Sequence, residues 1–314
     1  MAAKAWVSQQ KPVEEVFVRN DAVSVCMLIN RRASTVRVID FRAGPSNAKR
    51  LFVQSFAKRE ALHKVYTLVE RDEVATWLKL GFAKEGNIPG FYKRSDAVLL
   101  GCTVWSSAGS VDPGDPPAQS ETRIVAAKAS SGAPLSAAQE QMERTIAAAK
   151  KWAKDGQAKA LPSAKVAVVN EPESRKAVGA ALRSGRAITA FEAFGRGVDR
   201  RYFSVTVRGG FELCASTESQ SCFANAYLEL LQGPRGEGEW LATTSALGAL
   251  CDALSSDGVV SCFSLAPSDD VFLAAAFLQN GFRRTGLLAE HLRMGDRRKD
   301  AIVWSRKLAN PSDE

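Results

Sequence analysis

Apolar residues fall along this chain in short runs set apart by polar turns, and the runs predict strands and helices in alternation. Val23 to Ile29, Val65 to Val69, Val166 to Val169 and Val259 to Leu265 are strand-like. Thr35 to Phe41 alternates Val36, Val38 and Asp40 against Arg37, Ile39 and Phe41, and the turn at Asn30 to Ala33 joins it to the preceding strand as a hairpin. Ala48 to His63 reads as a helix with Leu51, Phe52, Phe56 and Leu62 inward, and Asp72 to Leu80 as a second helix. Further on, Glu171 to Arg183 is helical, Tyr202 to Val207 and Phe211 to Ala215 form a hairpin around Gly209-Gly210, Cys222 to Leu231 is a strand, and Leu241 to Leu254 a helix. Leu273 to Leu278 is an apolar helix face expected in the core.

One unit is written twice, about 200 residues apart. The first copy runs Asp72-Glu73-Val74, Gly81-Phe82, Asp96-Ala97-Val98; the second runs Asp269-Asp270-Val271, Gly281-Phe282, Asp300-Ala301-Ile302. Each follows a strand-like run, continues as a helix and closes with two more strands. Two such matches support each other as a duplicated fold.

At 314 residues the chain has room for two cores, and 46% hydrophobic with 24% charged content is that of a globular protein. Ser106 to Pro134 is rich in Ser, Ala, Gly and Pro, and such a stretch buries too little apolar surface to order itself. The boundaries expected are a short domain over 1–105, a flexible linker over 106–135, a linker helix over 136–160 and a longer domain over 161–314. Ser136 and Gln139 make a capping box, and Ala138, Met142, Ile146, Ala149 and Ala153 follow at helical spacing. That helix is expected to stop near Gly156.

Charge is uneven. Residues 1–105 carry 17 Lys and Arg against 10 Asp and Glu, which is most of the net +8. A basic first half suits an anionic or acidic protein partner. No basic run with interleaved aromatics appears, so nucleic acid is not the expected partner. No apolar run is long enough to span a membrane, and Met1 to Gln10 lacks the apolar region of an export signal, so a cytoplasmic protein is expected. The six cysteines lie mostly in apolar runs without a C-x-x-C pair and read as reduced, buried thiols. With only His63 and His291 present, no metal site is expected.

A family resemblance rests on particular residues. Ile29-Asn30-Arg31-Arg32 leading to Val36, then Lys64-Val65-Tyr66, then Gly81-Phe82-Ala83-Lys84-Glu85-Gly86-Asn87-Ile88-Pro89-Gly90-Phe91-Tyr92 with Asp96-Ala97 resembles the N-terminal domain of β-lysine N-acetyltransferases. The strand and helix order of the second half resembles a full GNAT acyltransferase core. The resemblance implies an α/β fold of two GNAT-like domains, each a mixed, mostly antiparallel sheet flanked by helices. It also implies transfer of an acetyl group from acetyl-CoA to a primary amine, on a small molecule or a protein lysine.

In that family the CoA pyrophosphate sits on backbone N–H groups at a helix N-terminus, after a Q/R-x-x-G-x-G/A turn. The matching stretch here is Leu230, Leu231, Gln232, Gly233, Arg235, Gly236 and Gly238; it is one residue longer than the pattern and carries Glu237 and Glu239 beside the phosphate position. The same Gly/Pro turn is also what any strand-to-helix connection requires. The first half offers only Arg42-Ala43-Gly44-Pro45-Ser46-Asn47, too short for the motif, and is expected to hold no cofactor. The family's tyrosine acid falls on Trp77 and Phe277, which have no proton to give. The candidate base is Glu229, on the face of its strand that carries Tyr227; the alternative is an edge or solvent-facing glutamate. Glu290-His291, expected at the tip of the last strand pair, is a second candidate against a structural or surface role. Arg31-Arg32 reads as a turn with solvated charges, and Arg297-Arg298-Lys299 as a basic loop between the last two strands that would reach a CoA 3′-phosphate. Two functions follow. One is an N-acetyltransferase in the second half; the other is a catalytically decayed GNAT-fold scaffold binding a protein partner.

Overall fold

The computed structural model describes residues 13–21, 23–40, 46–92, 95–104, 136–220 and 223–309. The first half runs β1 (Glu14–Arg19), β2 (Ser24–Asn30), β3 (Thr35–Asp40), α1 (Asn47–Arg59), β4 (Lys64–Val69), α2 (Val74–Lys79), β5 (Ala83–Tyr92) and β6 (Ser95–Thr103). Then come α3 (Ala137–Gln157), β7 (Ala164–Val169), α4 (Glu171–Arg183), β8 (Asp199–Val207), β9 (Phe211–Gln220), β10 (Phe223–Leu230), α5 (Glu237–Ser256), β11 (Ser261–Pro267), α6 (Val271–Gln279), β12 (Arg283–Met294) and β13 (Arg297–Lys307).

All of these strands belong to one mixed sheet, ordered β1-β2-β3-β4-β6-β5-β12-β13-β11-β10-β9-β8-β7 and flanked by helices. The order is a mirror. The elements β1-β2-β3-α1-β4-α2-β5-β6 recur as β8-β9-β10-α5-β11-α6-β12-β13, and β7 with α4 precedes the second copy. In each copy the third and fourth strands (β3 with β4, β10 with β11) pair in parallel, while the pairs around them are antiparallel. The copies join edge to edge through β5 and β12, where Gly86 pairs Gly286.

Local signals explain why the helices begin where they do. Asn170 and Glu173 cap α4 reciprocally with Pro172 in its first turn, and Ser136 with Gln139 does the same for α3. The Asp270 side chain accepts the Leu273 N–H at 2.9 Å to start α6. Helices α3, α5 and α6 cover one face of the second half. There Trp152 meets Trp240 and Phe272 edge-on at 5.2 and 5.1 Å, and Phe277 stacks on Trp304 at 5.3 Å. Trp240, Phe277 and Trp304 are fully buried, and each such large side chain contributes roughly 1.5–3 kcal/mol. The first half has its own core around Val36, Phe56, Trp77 and Phe82.

Polar ties hold the halves together. Lys64, fully buried, donates to Glu85 at 2.8 Å and to the Ala289 carbonyl at 2.5 Å, and Glu85 also accepts the Ala289 N–H. On the other side of the Gly86–Gly286 contact, Ser261 and Thr285 line an open cavity of about 690 Å³. His63 meets Glu290 at 2.6 Å, and Arg298 donates to the Ala33 carbonyl at 2.9 Å.

Several expectations are corrected. In α1 the inward residues are Lys49, Val53, Phe56 and Ala57, while Leu51 is 62% exposed. Phe56 and Leu62 are buried and Phe52 packs against the core as expected, so Leu51 alone is misplaced, and the buried Lys49 ammonium reaches Asp40 at 2.5 Å. The Arg297-Arg298-Lys299 triplet opens β13 rather than forming a loop, with Lys299 paired to Asp269 at 2.7 Å. Helix α5 starts at Glu237, four residues earlier than its apolar pattern, so the turn before it shrinks to 231–236. The linker assigned to 106–135, the turn residues 42–45 and Cys222 lie outside the described residues. Among the described residues, no helix is long and apolar enough to cross a membrane, and the five described cysteines are free thiols.

Candidate functional site

Strands β10 and β11 stay paired for only three positions, Asn225 with Ser261, Ala226 with Cys262 and Tyr227 with Phe263. Beyond these they part, because β10 turns towards α5 while β11 follows β13 to Pro267. The root of the opening is aromatic. Tyr227 stacks on Phe263 at 4.8 Å, and Phe194 lies against both at 4.7 and 5.4 Å.

Past this root lies a cavity of about 50 Å³, room for a few waters. The second half supplies Thr189, Glu192, Glu229 and His291; the first half closes the cavity with Arg32 and Tyr66. Arg32 is thus not the solvated charge its turn suggested. It pairs with the buried Glu192, 160 positions away, and donates to the Arg293 carbonyl at 2.9 Å. Arg31 is the exposed member and pairs with Glu14 and Glu60.

Glu229 is 4% exposed, so the edge or solvent-facing alternative does not hold. Its carboxylate accepts from the Thr189 hydroxyl at 2.6 Å, the Arg200 guanidinium at 2.6 Å and the Ser216 hydroxyl at 2.8 Å. Arg200 also pairs with Glu218 and donates to the Glu192 carbonyl at 2.9 Å. Glu218 in turn accepts the N–H groups of Phe194 and Gly195 at 2.8 and 2.9 Å, fixing the segment that roofs the cavity. The cluster therefore holds three carboxylates, Glu192, Glu218 and Glu229, against the two guanidiniums of Arg32 and Arg200.

That imbalance falls on Glu229. Burial, opposed by Arg200 and reinforced by Glu218, pushes its carboxyl up from 4.5 to about 7. Burial would raise Glu192 as well, but the charge and hydrogen bond of Arg32 with the Ala190 N–H outweigh it and hold that carboxyl below the usual range. His291 is fully desolvated and lies beside Lys64 and Arg298, so its ring is held neutral well below the usual histidine value. Its Nδ1 has no partner among the described residues. His291 lies within β12 at a register irregularity between Leu288 and Leu292, not at the strand tip. Three non-glycine residues next to the cavity lining, Ser34 (φ 50°), Phe191 (φ 58°) and Glu290 (φ 47°), hold left-handed backbone. Such conformations cost on the order of 1–3 kcal/mol each and gather where a site is built.

The remaining candidates run from the mouth of the opening to α5. Leu230 and Leu231 are buried at the end of β10, where Leu231 exchanges backbone hydrogen bonds with Cys214 and Ile188. Gln232, Gly233, Arg235 and Gly236 form the turn, and Gly238 lies in the first turn of α5. Arg186 holds the Gly233 carbonyl at 2.8 Å, and a Cβ at Gly233 would stand 2.5 Å from an Asp270 carboxylate oxygen. Gly236 (φ 148°) and Gly238 face open space. The Arg235 N–H is taken by Glu239 at 2.7 Å. Phe277 and Trp77 are core residues of α6 and α2. Thr189, Glu192, Arg200, Ser216 and Glu218 were not read from the sequence; only the charged start of β8, Asp199-Arg200-Arg201, hinted at them.

No family model and no curated protein matches the chain. Among solved structures it is similar to the spermidine N-acetyltransferase from Vibrio cholerae in complex with CoA and spermine. That likeness has 11% identity over 46% of this chain and 96% of the other, with a TM-score of 0.37. It is also similar to the ribosomal-protein-S18-alanine N-acetyltransferase from Escherichia coli, at 17% identity over 48% of this chain and 97% of the other, with a TM-score of 0.36.

Proposed function

We propose that the second half transfers an acetyl group from acetyl-CoA to a primary amine, with Glu229 as the base. The observation that carries this reading is a buried carboxyl with a pKa of about 7, on a strand that parts from its parallel neighbour, facing a small cavity. A base poised near neutrality both exists in its ionised form and accepts a proton readily. The amine nitrogen attacks the thioester carbonyl carbon, the N–H proton passes to Glu229, and the C–S bond breaks to release the thiolate, which takes a proton from water. The surplus negative charge of the cluster favours an amine arriving as the ammonium; it gives one proton to solvent to become the free base before attack, and the proton it loses on attack is the one that passes to Glu229. Backbone N–H groups at the start of α5, which lack intrahelical acceptors, would face the pyrophosphate, with Gly236 and Gly238 leaving room for it.

A second reading, a non-catalytic scaffold that binds a protein through its basic first half, is favoured by two observations. Glu239 already occupies the Arg235 N–H, and the Tyr227–Phe263–Phe194 stack fills the root where a pantetheine arm would pass.

Calorimetric titration of the whole chain with acetyl-CoA separates the two. Transfer requires binding that is weakened at least about ten-fold by Gly238→Glu, which adds a carboxylate where space is open. No binding up to about 1 mM removes the transferase reading.

A further inference from the structure

The first half has an opening of its own. β3 and β4 pair only from Thr35 with Lys64 to Arg37 with Tyr66, then separate, with the Thr67 hydroxyl donating to the Val38 carbonyl at 2.8 Å. The gap is an open cavity of about 650 Å³, walled by Phe91 and Tyr92 and edged by Arg37 and Glu73. We propose that it binds a small zwitterion bearing both a carboxylate and a protonated amine, that is, a free amino acid.

Arg37 points to the carboxylate. It is 9% exposed, donates Nη1 to the Phe194 carbonyl at 2.6 Å and lies over the Phe194 ring at 4.8 Å, while its Nε has no partner among the described residues. Among the described residues no carboxylate bonds it there. Glu218, the nearest acid acting on it, spends its oxygens on Arg200 and the Phe194 and Gly195 N–H groups. A buried guanidinium without a counter-ion is costly, and a ligand carboxylate meets that need with charge-assisted hydrogen bonds.

The same cavity also carries an acidic group. Glu73 is half-buried, and the side-chain charges acting on it are those of Asp72, Asp40 and Glu70, all acidic. The other charges on the rim are matched within the protein: Asp40 with Lys49, and Arg196 with Glu15. Arg37, Glu73 and Tyr92 all line the cavity, and both charges act on the Tyr92 hydroxyl. A phosphate or dicarboxylate would meet the acidic side, and a simple amine would leave Arg37 unmatched. A zwitterion satisfies both ends. This site is separate from the Glu229 cavity and does not depend on acetyl transfer.

The test is thermal shift and calorimetry of the whole chain with the proteinogenic amino acids, each at up to about 10 mM. At least one should raise Tm and bind, whereas its decarboxylated amine and its N-acetylated form should not. Glu73→Gln, which leaves the Arg37–Phe194 contact intact, and Arg37→Gln should each weaken binding about ten-fold or more, and Glu229→Gln should leave it unchanged. No amino acid binding, equal binding of either control compound, or loss only in Glu229→Gln would overturn the proposal.

Discussion

Gly86 and Gly286 meet backbone to backbone at the centre of the sheet. A Cβ on Gly86 would stand 2.8 Å from the Gly286 Cα, and one on Gly286 would stand 2.5 Å from the Gly86 Cα and 2.6 Å from the Glu85 carbonyl oxygen. Both contacts are to backbone, so no side chain can swing away. Gly286→Ala should therefore destabilise the chain by about 1–3 kcal/mol, as overpacking does. Urea unfolding checks this, and a change within about 0.5 kcal/mol of wild type would mean that β5 and β12 separate without cost.

Stability should depend on pH through Glu229. Its carboxyl titrates near 7 when folded and near 4.5 when not. Between those values the folded chain keeps a proton that the unfolded chain has released, so this group's contribution falls as pH rises through the window and is flat above it. The full effect is of order 3 kcal/mol. His291 acts the other way. Its folded value is depressed, so its contribution is lost as pH falls below the ordinary 6.5. The difference in unfolding free energy between wild type and Glu229→Gln, followed from pH 4 to 8, isolates the first group. Wild type should lose stability relative to Glu229→Gln as pH rises, and a flat difference would contradict the burial of Glu229.

Lys64→Met should leave Glu85 buried without its counter-charge and cost about 3–5 kcal/mol. Burial already raises the Glu85 carboxyl in spite of Lys64, so protonation will absorb part of the loss at low pH. The double variant Lys64→Met with Glu85→Gln should recover more than half of it. Chemical denaturation of the four proteins gives the coupling directly.

Ser136→Ala removes one side of the α3 capping box and should lower stability by about 1 kcal/mol, measured as a fall in Tm.

Legibility in the sequence followed distance along the chain. Helix α4 is legible from Glu171 to Arg183 because its cap at Asn170, its first-turn proline and its periodicity are all local to that stretch. The Gly-Phe repeats at 81 and 281 likewise pointed to two units of one order. Strand β1 is not legible, because its apolar run is only Val16-Phe17-Val18 between charged residues, and Phe17 faces solvent at the edge of the sheet. Arg32 reads as a turn charge and Glu192 carries no signal of its own, and only the meeting of the halves makes them a buried pair. Glu229 could be placed on the face of Tyr227 by alternation alone. Its environment could not, since Thr189, Arg200 and Ser216 reach it from three separate segments. Lys49 misled for a related reason: a lysine at a core position breaks an apolar pattern unless its partner, Asp40, is known.

The two sides of the Gly86–Gly286 junction are alike in geometry and unlike in chemistry. Lys64 and Ser261 hold matching places at the start of the parallel pairs, and Glu85 and Thr285 each precede the junction glycine. One side carries a buried ammonium and carboxylate; the other carries two hydroxyls and open space. An assembly of identical subunits repeats any residue on both sides of its axis, so a favourable charge pair comes twice or not at all. Within a single chain the pseudo-axis imposes no such constraint. Each flank is free to diverge, one as a fastening and the other as a void, while the backbone keeps its symmetry.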